Sequence, residues 1–192
     1  MRTLSSTRPL AAVLVLAGLA TGAPAADDYA LDDMHSAVTF KVSHLGLSWT
    51  YGRFNDVSGS FTVDPDNADR CSFSLNVKVA SLDTNNKKRD DHLRSPDFFN
   101  VKTYPTITFK STSVKAAKDG YEVTGELTLH GQTKSVTFPL KGGRKAEFPK
   151  GVQRTGFSTE LVIKRSDFGM DKMKPAIGDE VYIAISFEGT KK

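Results

Sequence analysis

The stretch Cys71-Ser72-Phe73-Ser74-Leu75-Asn76-Val77-Lys78-Val79 alternates apolar with polar side chains at every step. A period of two sends each class to its own face of an extended chain, so this segment reads as a β-strand with one buried and one wet face. The same alternation recurs on both sides of it. Upstream, Val38, Phe40 and Val42 oppose Thr39, Lys41 and Ser43, and Val57, Gly59, Phe61 and Val63 oppose Ser58, Ser60 and Thr62. Downstream come Ile107 with Phe109, then Tyr121, Val123, Gly125, Leu127 and Leu129, then Val136, Phe138 and Leu140. Phe157, Thr159, Leu161 and Ile163 form a seventh run, and Val181, Ile183, Ile185 and Phe187 an eighth.

Turn residues separate nearly every pair of runs: Asp64-Pro65-Asp66-Asn67, Lys118-Asp119-Gly120 and the tight His130-Gly131. Eight strands, each with one apolar face, fit either a sandwich or a closed barrel. Consecutive hairpins favour an all-β, eight-stranded antiparallel up-and-down barrel of the lipocalin kind, because closure removes exposed edges. Such a barrel has room for one small ligand. Inward parity then selects its lining: Phe40, Val42, His44, Phe61, Phe73, Leu75, Phe109, Leu127, Leu129, Phe157, Leu161, Ile183 and Ile185. Gly142-Gly143, with Pro149 and Gly151, reads as a long hairpin loop.

One connection breaks the period. Thr84 to Tyr104, between the third and fourth runs, carries Lys87-Lys88-Arg89-Asp90-Asp91-His92-Leu93-Arg94 and is expected to hold short helices. Ser95-Pro96-Asp97 has the N-cap, first-turn proline and acid of a second helix start. Phe98 and Phe99 follow it and need something apolar to sit on, for which the barrel mouth is the natural place. Arg89 beside that mouth is placed to meet a polar head group, or to pair with Asp90 or Asp97.

The first 25 residues stand apart. Arg2 and Arg8, the apolar run Leu10 to Ala20 and the small-x-small Ala23-Pro24-Ala25 read as a signal peptide cleaved after Ala25, with residues 26–192 as the mature domain. An apolar run of this length is too short to span a bilayer, which takes about 20 residues. Release into the periplasm is the expected route, with transient membrane contact as the only membrane association. Loss of the two arginines lowers the net charge from +4 to +2, which gives no basis for nucleic-acid binding.

Chemistry is constrained as tightly. Cys71 is the single cysteine, so an intramolecular disulfide and a multi-cysteine metal site are excluded, and its apolar parity reads as a small buried hydrophobe. The four histidines are scattered: His35 and His44 differ by nine positions in one strand, His92 lies in the long connection and His130 at a hairpin tip. They do not converge as zinc ligands do, and no metal is expected. No G-x-S-x-G elbow, Cys-His pair or phosphate-binding loop occurs, and no catalytic residues or cofactor are expected.

Several motifs in fixed order resemble those of the YceI-like polyisoprenoid-binding family, secreted bacterial proteins with a lipocalin-like barrel. They are Asp32-x-x-His35-Ser36, His44-x-Gly46, Gly52-x-Phe54, Ser81-Leu82-x-Thr84, Arg89-Asp90-x-His92-Leu93-x-Ser95, Asp97-Phe98-Phe99, Tyr104-Pro105, Gly125-x-Leu127-Thr128-Leu129-His130-Gly131, and Arg165-Ser166-Asp167-Phe168-Gly169 with Gly178-Asp179. The resemblance implies a binding protein that carries or stores a long apolar chain, a polyprenyl or quinone tail, inside the barrel, and the long connection is expected to put Arg89, His92, Phe98 and Phe99 at its mouth. It also implies a homodimer. The competing readings are an enzyme acting on such a lipid and a structural β-domain whose barrel is filled by its own side chains.

Overall fold

The computed structural model describes residues 26–192; the expected signal peptide and its cleavage site lie outside the described residues. The chain forms strands β1 (Asp27–His44), β2 (Ser48–Phe54), β3 (Val57–Val63), β4 (Ser72–Lys78) and β5 (Leu82–Asp83), then helix α1 (Lys87–Arg94). It continues through β6 (Thr106–Ala117), β7 (Gly120–Leu129), β8 (Gln132–Glu147), β9 (Gln153–Lys164) and β10 (Ile177–Lys191). Every pairing is antiparallel, and β10 returns to pair with β1, from Tyr29 opposite Lys191 to His44 opposite Ile177. β1 is long enough to serve two partners: Asp27–Ala30 pair with β3 and Val38–His44 with β2. β2 and β3 are thus two lengths of one stave, and the sheet closes as an eight-stave up-and-down barrel.

Local chemistry explains the turns. His130 and Gly131 both take positive φ (51° and 73°), as a two-residue hairpin between twisted strands requires. Asn86 caps α1 through its side-chain oxygen, which accepts from the Arg89 N–H. Arg165–Phe168 form a 3₁₀ turn stopped by Gly169 in the left-handed region. The buried Arg165 guanidinium donates to the carbonyls of Met170, Ile177 and Gly178, clipping this turn to the start of β10. Burial without a carboxylate in contact pushes the Arg165 pKa down.

The structure departs from the sequence reading in three places. Ser48–Phe54 is a strand that the alternation does not announce, since its bulky Trp49 and Tyr51 face outward while Gly52 faces the Phe40 ring. No second helix starts at Ser95: that residue ends α1, its N–H and hydroxyl both donating to the His92 carbonyl, and tight turns follow. Gly142-Gly143 lie within β8 at a shift in its register with β9, not in a loop. A Cβ on Gly142 would sit 2.4 Å from the Gly156 carbonyl oxygen, which explains the glycine.

One end of the barrel is solid. Tyr29, Phe61, Phe73, Phe157 and Phe187 pack there as a cluster of rings, Tyr29 stacked on Phe61 at 5.1 Å and Phe157 edge-on to Phe61 and Phe73 at 5.8 and 5.5 Å. Cys71 is buried in the same cluster, as its parity predicts. Ion pairs fasten the rim around it. Asp27 receives Lys145 of β8 and Lys191 of β10, and Asp32 receives Arg154 of β9, so each acid is held down to about 2, by the lysines and by Arg154 with His35.

These depressed values fix a sign. A carboxylate more acidic in the folded than in the unfolded chain contributes stability that is complete above its ordinary pKa of 3.8 and is lost as pH falls toward 2. Thermal unfolding followed between pH 5 and 2 should therefore show a falling melting temperature in the wild type and a shallower fall in the Asp27→Asn/Asp32→Asn double variant.

Candidate functional site

Above the ring cluster the barrel is hollow, with a cavity of about 670 Å³. Its wall is built from the inward positions of the staves, among them Phe40, Val42, Leu75, Phe109, Leu127, Leu161, Ile183 and Ile185. These side chains point inward yet are only half-buried, because they border open space rather than one another. Phe61, Phe73 and Leu129 reach the cavity from better-packed positions. Phe157 does not reach it: lower along the same strand as Leu161, it packs wholly into the ring cluster, which corrects its assignment to the lining. The wall offers few hydrogen-bonding groups, and the Thr159 hydroxyl is spent on the Pro139 carbonyl at 2.6 Å.

The polar and exposed lining residues gather at the other end, which is the mouth: His44, Asn86, Lys88, Arg89, His92 and Met173. Phe98 and Phe99 stand beside them. Phe98 is buried edge-on against His92 with ring centres 5.0 Å apart, while Phe99 meets Phe54 edge-on at 5.8 Å and joins the two apolar groups flanking the cavity. His92 is itself held by Asp97 at 3.0 Å, a hydrogen bond that draws the Asp97 pKa down. Arg89 pairs with neither Asp90 nor Asp97. Its Nε and Nη2 donate to the side chain and carbonyl of Thr84 at 2.7 and 2.6 Å, and buried Asp90 accepts from the Thr84 N–H and hydroxyl. Asp90 thereby fixes Thr84, and Thr84 fixes the guanidinium at the opening.

The family described as YceI-like domain matches residues 29–189, nearly the whole barrel wall. The chain belongs to the YceI-like family. It is 42% identical over 188 residues to the UPF0312 protein of Pseudomonas aeruginosa, covering 96% of this chain and 98% of that one. Among solved structures it is similar to BcnA of Burkholderia cenocepacia, at 29% identity and a TM-score of 0.75 over 82% of this chain and 98% of the other. A polyisoprenoid binding domain from Saccharophagus degradans, implicated in plant cell wall breakdown, shares the fold at a TM-score of 0.67 and 19% identity, over 85% of this chain and 98% of that one.

Two features of this YceI-like barrel escaped the sequence reading. Met170 and Met173 line the cavity from the segment joining β9 to β10, where no strand period marks an inward side, and Ile177 lines it from the first position of β10. Asp32, His35 and Glu188 offer ligand atoms within 4.8 Å of one another, brought together by irregular pairing between Asp32 and Ala37 that parity counting cannot foresee. Arg154 donates to both Asp32 and Glu188, so a cation is already built into that cluster.

The two aromatic positions are expected to separate function from stability. Changing Phe98 and Phe99 together to Ser should weaken uptake of a fluorescent prenyl lipid at least about tenfold while the β-sheet circular dichroism persists. Phe157→Ala should cost about 3–5 kcal/mol in denaturant unfolding and leave lipid affinity nearly unchanged.

Proposed function

We propose that this protein takes the tail of an isoprenoid lipid, a polyprenyl or quinone chain, into its barrel and carries or stores it without converting it. The cavity carries the reading: it is apolar, closed at one end by aromatic rings and open at the other. A volume of about 670 Å³ falls among small-molecule sites. At the roughly 30 Å³ of a water-sized group it holds on the order of twenty chain carbons. The name of the Saccharophagus degradans domain, which shares the fold, supports the choice of an isoprenoid among apolar chains. An enzyme on such a lipid needs an activated nucleophile or acid–base pair facing the cavity. Cys71 lies outside the lining, its Sγ placed against the backbone of Asp64.

A wall of this kind offers area and few directional contacts, so chain length should govern affinity. Displacement of a bound fluorescent lipid by a series of prenols is expected to strengthen with each isoprene unit, at about 0.8 kcal/mol per buried methylene less the entropy of confining the chain, and to level off near twenty carbons. A quinone, a prenyl alcohol and a fatty amide of one length should agree within about tenfold, 1.4 kcal/mol. Affinity set by the head group and indifferent to tail length would refute the reading. Ligand recovered chemically altered by organic extraction after incubation would favour the enzyme.

The periplasm is the proposed site of action, on the strength of the signal-like first 25 residues. Mass spectrometry of protein from a bacterial periplasmic extract should find Ala26 at the N-terminus; a mature chain that retains Met1 would refute the export.

A further inference from the structure

Two large apolar residues at the mouth occupy backbone conformations that suit neither of them. Among the non-glycine described residues with positive φ, Asn85, Asn100 and His130 are of types that tolerate the left-handed region. The other two are Leu45, at 54°, and Met173, at 59°. Both are also exposed, at 57% and 45%, and Leu47 beside them is 82% exposed. Leu45 sits at the tip of the β1–β2 hairpin, its N–H donating to the Ala176 carbonyl at 2.7 Å, and the Ile177 N–H donates in turn to Met173. The hairpin tip and the loop before β10 are therefore tied into one apolar lip. His44, immediately before the tip, lines the cavity, as do Met173 and Ile177, so the lip and the opening are continuous.

This arrangement costs the fold both backbone strain and exposed apolar surface. An asparagine or glycine at position 45 would relieve the backbone and the exposure together, so the lip must be offset by contact with an apolar medium outside the chain. Across the opening stand Lys88 and Arg89, which have no carboxylate partner among the described residues. Lys172 and Lys174, next to Met173, are balanced by Asp97, Asp171 and Asp179. Leucines at the same opening as cations without a carboxylate partner match a bilayer that offers hydrocarbon beneath anionic head groups.

We propose that the lip formed by Leu45, Leu47 and Met173, with Lys88 and Arg89, docks the open end of the barrel on an anionic phospholipid bilayer. The cavity then meets the membrane directly, and an apolar chain passes between them without crossing water. The passage rests on the cavity's being a site for such a chain; the docking does not.

Sedimentation of the protein with phosphatidylglycerol/phosphatidylcholine vesicles tests the docking. The wild type should bind, more weakly in high salt. Leu45→Asn with Leu47→Ser should lower vesicle partition at least about tenfold and slow lipid transfer between vesicles. Neither residue lines the cavity, so affinity for a short prenol in solution should not change. Leu45→Asn alone should raise the melting temperature by about 2 °C, since asparagine accepts the left-handed backbone. Lys88→Gln should weaken binding to the anionic vesicles and leave binding to pure phosphatidylcholine vesicles as it was. Wild-type partition retained by the double variant would overturn the proposal, as would a dimer in light scattering that this variant dissolves without any effect on vesicles, which would make the lip an interface between copies. Loss of prenol binding with tip-dependent vesicle binding intact would instead uphold the docking and refute the cargo.

Discussion

Closing a sheet on itself leaves no free edge, but it creates an interior that must be filled or kept dry. Every other feature of this protein follows from how that interior is shared. One end is occupied by Tyr29, Phe61, Phe73, Phe157 and Phe187, whose rings pack against one another across the bore. The remainder is left to a cavity. The ring cluster closes the bore, and two smaller buried groups, one around Val79 and Leu82 and one around Phe168 and Met170, support the wall beside the cavity. Asp27 and Asp32, with their lysines and arginine, fasten the staves on the packed side.

Rings rest on glycines along the wall. Phe40 lies over Gly52, Phe109 over Gly125 and Phe61 over Gly189, each close enough that a Cβ on the glycine would meet the ring within 2.5 Å. At Gly52 and Gly125 the missing Cβ gives the ends of the Phe40 and Phe109 rings room against the wall, and a side chain there would push them into the bore. At the mouth the control is polar: Asp90 holds Thr84, Thr84 holds Arg89, and Asp97 holds His92. The opening thus keeps its shape through side chains that do not enter the apolar wall.

The barrel was legible because period-two alternation is set by the buried face alone, and in β4 and β7 that face is unbroken from Phe73 to Val77 and from Tyr121 to Leu129. β2 was hidden because two of its three large residues, Trp49 and Tyr51, face out and only Phe54 faces in. Trp49 sits edge-on to Tyr182 with Lys41 over both rings, and the inward places go to Thr50 and Gly52. Parity also says which way a side chain points but not how far along the bore it lies, which is why Phe157 was grouped with Leu161 although one belongs to the plug and the other to the wall. The cap at Ser95 was read with the wrong polarity: serine before proline suits a helix start, but here the hydroxyl donates to a carbonyl at a helix end. Arg89 lines the cavity, and its Thr84 partner is not legible in the sequence because threonine carries no charge to mark the pair.

The seam between β1 and β10 joins segments that are almost the whole domain apart in sequence. The other neighbours in the wall follow one another along the chain, by short turns except between β4 and β6, where the segment carrying β5 and α1 intervenes, so seven staves can pair in chain order. Until the last fifteen residues arrive, however, β1 and β9 remain two unsatisfied edges on a curling sheet, and the ring cluster lacks Phe187. Such a sheet is open to pairing with other chains. Pairing of the final strand is thus the step at which an open ribbon becomes a closed vessel.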